Sequence, residues 1–131
     1  MDHASVPDAK LRFGSWGPGY LLEGPRTLAG VCLLRPGDVF ENHYHARHEE
    51  TFLVLGGEVT LWANCRLRYL MRTGDLHRCD PYEMHFLSND SSSEVRLLFV
   101  KAPAVPGDKV DVAWRPGQPA PQPVPPATEE N

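Results

Sequence analysis

The chain has 131 residues, with 13 lysines and arginines against 17 aspartates and glutamates and a formal net charge of −4. That length suits one domain with one core, and a mild negative charge without a concentrated basic run speaks against nucleic acid and anionic membrane as partners. A small molecule or another protein is the expected partner, and with no apolar signal core in MDHASVPDAK and no run near the ~18 apolar residues of a bilayer span, a cytoplasmic setting is expected.

In chain order, residues 1–26 read as an N-terminal arm. Its segment FGSWGPGYLLEGPRT, rich in glycine and proline, holds at most an edge strand, because both residues weaken a ladder. Trp16 and Tyr20 in that segment either cover a barrel mouth or pack at an edge. From Thr27 onward come short β-branched and aromatic runs with turn signals between them: LAGVCLL, VFENHYH, ETFLVL, EVTLWA, YLMRTGDLHRC, MHFLS and EVRLLFVKAP. No helical stripe competes with them, and the spacing predicts an all-β fold, a small antiparallel barrel or double-sheet jelly roll over residues 27–104. Residues 105–117 are expected to pack on that barrel as an extension. Residues 118–131, GQPAPQPVPPATEEN less its glycine, are expected to form a flexible proline-rich tail or a tether to another domain. Cys32, Cys65 and Cys79 are odd in number, widely spaced and without a CxxC, so reduced thiols are expected, with Cys79 an inert core residue.

The stretch ENHYHARHEE, residues 41–50, holds three of the six histidines. On a strand, alternation puts Glu41, His43 and His45 on one face. His48 lies off that face beside Glu49 and reads as a surface residue. The frame around this stretch is Gly37, His43, His45, Glu50 and Gly57, followed by Gly74, His85 and Asn89. It resembles the cupin family, whose motifs have the forms G-x5-HxH-x4-E-x6-G and G-x5-P-x-G-x2-H-x3-N. The first is matched in full. The second departs at two places, with Asp80 where proline is expected and Tyr82 where glycine is, so Tyr82 needs a turn that tolerates a Cβ.

The resemblance implies that His43, His45, Glu50 and His85 converge inside the barrel around one divalent metal ion. Glu49 competes with Glu50 for that role, but Glu50 keeps the register to the following glycine. Three imidazoles and a carboxylate suit zinc, iron, manganese, cobalt or nickel, zinc or iron foremost, with coordination positions left open. Phe52 and Val54 share a face with Glu50 as pocket walls, and Glu41 is the expected catalytic base. Tyr82 at the rim is a candidate hydrogen-bond donor or packed turn aromatic; His77 is either a catalytic acid or base or a buried, hydrogen-bonded histidine. A weaker resemblance, through GDLHRCDPYEMHFLSND, FVKAP and DKVDVAW, is to the zinc-binding cupin modules of hydrazine synthetases. The expectation is therefore a metal-dependent enzyme acting on a small molecule, with a non-catalytic metal-dependent binding or sensor module as the alternative. Cupins of this size commonly pair through sheet edges, so a homodimer is also expected.

Overall fold

The computed structural model describes residues 1–125. After a single 3₁₀ turn at Val6–Asp8 the described chain is strands and loops: β1 Gly17–Glu23, β2 Leu28–Leu34, β3 Val39–Tyr44, β4 Glu49–Gly56, β5 Glu58–Ala63, β6 Leu67–Arg72, β7 Leu76–Cys79, β8 His85–Ser88, β9 Val95–Ala102 and β10 Val110–Asp111. They form two five-stranded antiparallel sheets, ordered β1-β2-β9-β4-β7 and β10-β3-β8-β5-β6. This is the all-β double-sheet jelly roll expected from the pattern of short strands. No helix among the described residues is long and apolar enough to cross a membrane.

Alternation decides what the two inner faces carry. In β4, Glu50, Phe52 and Val54 are buried between less buried neighbours, and in β9 the buried positions are Val95, Leu97 and Phe99. The apolar ones among these meet Cys32 and Leu34 of β2, Val59 and Leu61 of β5, and Leu87 of β8 in one core between the sheets. A second cluster, Cys65, Met84, Phe86 and Trp114, lies on the reverse parity of β8 and is flanked by Tyr44, Trp62 and Val112. Residues beyond β9 thus cover the outer face of the second sheet, with Trp114 buried against Phe86 and Trp62.

The run YLMRTGDLHRC divides into β6 and β7 in different sheets, separated where Gly74 takes φ +93° and Asp75 caps the N–H of Arg72. The first residues of the expected tail make contacts with the rest of the chain. Trp114 Nε1–H donates to the Gln118 carbonyl, Arg66 donates to that of Pro121, and Ala120 packs on the second cluster. Residues 126–131 of that tail lie outside the described residues.

Candidate metal centre

The site lies between the sheets, and a bulge sets its geometry. On β3, Phe40 pairs with Leu87 and His43 with His85, three steps against two on β8. The extra residue breaks alternation at Glu41 and Asn42. Phe40 and His43 therefore share the inner face, and Asn42 turns to the outer cluster, where its amide donates to the Val112 carbonyl. Glu50 enters from the opposite sheet, paired across β4 with Cys79 and Lys101.

His43, His45, Glu50 and His85 are all buried, each offering a ligand atom within 4.8 Å of the others. Glu50 Oε1 lies 3.1 Å from His45 Nε2 and 3.3 Å from His85 Nε2. The far side of each ring is tied to backbone. Nδ1–H of His43 donates to the Glu41 carbonyl at 2.7 Å, that of His45 to the Asp108 carbonyl, and that of His85 to the Glu83 carbonyl at 3.1 Å. These bonds select the Nδ1–H tautomer, which leaves each Nε2 as a lone pair, those of His45 and His85 facing the Glu50 carboxylate.

Three imidazole lone pairs and a carboxylate oxygen crowded together, with His85 Nε2 buried and without a hydrogen-bond partner among the described residues, repel one another unless a cation sits among them. The donor set therefore fits a divalent metal ion. Electrostatics agree: burial, reinforced by the neighbouring His85, pushes His43 down to about 2, so it stays a neutral ligand.

The other sequence candidates are placed differently. Glu41 does not face the pocket; the bulge turns it to the surface, where it pairs with Arg115. Tyr82 takes φ 69°, the left-handed turn that the missing glycine requires, and donates its N–H to the His45 carbonyl. Its ring stacks on Tyr44 at 5.7 Å rather than at the cavity. His77 sits at the open edge between β6 and β7, 3.3 Å from Glu83 and 5.4 Å from the Tyr69 ring, as a partly buried, hydrogen-bonded histidine grouped with Cys79 and Glu83. All three cysteines are free and buried, Cys79 with its thiol held protonated by burial and by Glu83.

His48 is the reverse correction: expected on the surface, it is 2% exposed. The turn ends before it, so it stands immediately ahead of β4, two residues before Glu50 and on the same face. Asp108 anchors the turn from across the chain, its carboxylate accepting from the N–H groups of Ala46, Arg47 and His48 at 2.8–2.9 Å. Burial and the nearby His45 and Lys101 push His48 down to about 4.

Beside His43, His45 and Glu50, with His85 fully buried behind them, opens a cavity of about 800 Å³, walled by Phe40, Phe52, Leu87 and Phe99 and reached by His48, Lys101 and Arg12. Lys101 was missed in the sequence, although alternation from Leu97 and Phe99 would have placed it on the inner face. Asp108 was not legible, because it belongs to a loop that reaches the site only through the fold.

With fold and site in place, the class is defined: residues 30–101 match the family model described as Cupin domain, and the chain belongs to the cupin family. It is 31% identical over 108 residues to Germin-like protein 5-1 of Oryza sativa subsp. japonica, which covers 76% of this chain and 47% of that protein, so the chain spans about half the length of this relative. Among solved structures, an uncharacterized conserved protein with a double-stranded β-helix domain from Klebsiella pneumoniae superposes with a TM-score of 0.75 at 21% identity, over 87% of this chain and 99% of that one. Recombinant oxalate oxidase in complex with glycolate gives 0.59 at 21% identity, over 65% of this chain and 45% of that one.

Proposed function

We propose that this cupin is a metal-dependent enzyme that acts on a small organic molecule held in the cavity beside His43, His45, Glu50 and His85. The observation that carries this reading is the shared tautomer: three rings tied back through Nδ1 leave three Nε2 lone pairs beside one carboxylate, and the group opens on a cavity large enough for a metabolite. A divalent ion held there, zinc or iron foremost, supplies Lewis acidity towards an oxygen of the bound molecule. The chain's own residues do the rest. The backbone carbonyls fix the rings, the aromatic walls exclude water, and Lys101 sets a positive charge opposite Glu50 across β4 and β9.

Three unpaired buried thiols support a reducing, cytoplasmic setting. A second copy pairing along β6 and β7, where Leu67, Leu70 and Leu76 are exposed, is the assembly that goes with this reading.

The test is elemental analysis of protein purified without added metal, followed by a turnover screen of small organic acids and carbonyl compounds that includes the N–N bond-forming chemistry of the weaker resemblance. About one equivalent of a divalent transition metal per chain, with turnover, supports the enzyme. Metal without turnover of any class favours the binding module, and absence of metal from protein that also fails to take up zinc or iron overturns the site.

A further inference from the structure

A buried polar side chain without a partner is costly, of order 1–3 kcal/mol, so one that faces a cavity marks where a ligand completes it. His48 is such a residue. It lines the cavity, is 2% exposed, and neither ring nitrogen makes a hydrogen bond among the described residues. Its Nδ1 lies 3.4 Å from Asp108 Oδ2. A carboxylate on that side favours the proton on Nδ1, which leaves Nε2 as an acceptor.

Lys101 stands on the same inner face, directly opposite Glu50 in the β4–β9 ladder. Among the described residues it makes no ion pair, and its ammonium lies 5.6 Å from the Phe99 ring centre and 6.0 Å from that of Tyr20. The cavity thus holds an unpaired cation, a hydrogen-bond acceptor without a donor, and aromatic walls. Its other positive groups are Arg12, without an ion pair among the described residues, and Lys109, which is paired with Asp111.

We propose that Lys101 and His48 form a subsite for a hydroxy acid with an apolar or aromatic body. Lys101 takes the carboxylate, His48 Nε2 accepts a hydrogen bond from the hydroxyl, and Phe40, Phe52 and Phe99 cover the body. The subsite names the substrate class for the cavity of the proposed function. It rests on that reading for what becomes of the ligand and not for its binding.

The probes are mandelate, phenylacetate, which lacks the hydroxyl, and mandelamide, which lacks the charge. Binding is measured by calorimetry on metal-loaded and on chelator-treated full-length protein. Mandelate is expected to bind both forms, at least tenfold more tightly than either analogue. Lys101→Met should remove its advantage over mandelamide, and His48→Leu its advantage over phenylacetate, with circular dichroism unchanged. Mandelate that binds neither form, or no more tightly than mandelamide, or equally to wild type and Lys101→Met, overturns the subsite. Protein that takes up no metal yet binds mandelate through Lys101 keeps the subsite and sinks the metal reading; metal uptake without charge-dependent binding does the reverse.

Discussion

His45 and Asp108 hold each other from two sides: the ring donates Nδ1–H to the backbone carbonyl of Asp108, and the carboxylate of Asp108 receives the three N–H groups that follow His45 in the chain. One loop residue thus orients a candidate ligand and clamps the turn that leads to the next. Asp108→Ala should cost about 1–3 kcal/mol by leaving those donors without their anion, and should weaken metal affinity about 10–100-fold, as loss of an orienting partner typically does. Denaturant melts and metal competition titrations read the two effects. Burial acts to raise the Asp108 carboxyl, but its N–H donors outweigh that and lower it. Its stabilisation is therefore full above the ordinary carboxylate range and lost as pH falls through the lowered value; acid unfolding of Asp108→Ala should show a shallower pH dependence than wild type.

The four converging residues should behave as one set. His43→Ala, His45→Ala, Glu50→Ala and His85→Ala should each remove most of the metal, while His3→Ala leaves metal content unchanged, because only the first four share the inner space. Retention of a full equivalent by any of the four would remove that residue from the set.

Glu41 is a surface residue paired with Arg115, both more than half exposed. Exposed pairs contribute about 0–1 kcal/mol, so Glu41→Gln should leave metal content and turnover as they are and shift stability by less than that. A large fall in turnover would mean that the β3 bulge is absent in solution and that Glu41 faces inward.

The motif glycines should not respond alike. Gly37 has φ +87° and open space around a built Cβ, so Gly37→Ala should cost about 1–2 kcal/mol, the left-handed penalty. Gly57 has φ +83° and a Cβ there would overlap the backbone carbonyl oxygen of Glu94; overpacking adds to the backbone strain, and Gly57→Ala should exceed about 3 kcal/mol. Equal melting shifts would argue against the close approach of β9 to this turn.

Cys32, Cys65 and Cys79 are buried, and burial raises all three thiols above their usual value. Because the thiolate is the reactive form, a thiol reagent such as Ellman's should label none of them on the timescale of an exposed cysteine, and all three after unfolding.

The strands and the antiparallel double sheet were readable from the chain, because strand parity and turn residues are local properties written within a few positions; that His43, His45, Glu50 and His85 meet was legible through the motif spacing that resembles the cupin family. Lys101 was missed, although its face follows from Leu97 and Phe99. Glu41 and His48 were misplaced for one physical reason. Parity holds only while a ladder is regular, and both the bulge opposite β8 and the turn clamped by Asp108 are made by partners that are distant in the chain. The same holds for the attachment of Gln118–Pro121, whose composition offers little to bury and whose order comes from Arg66 and Trp114. What alternation sets, the sequence determines by itself; which residue is pushed off that alternation, and which loop closes on the site, only the packed tertiary structure decides, because those contacts exist only once the two sheets have met.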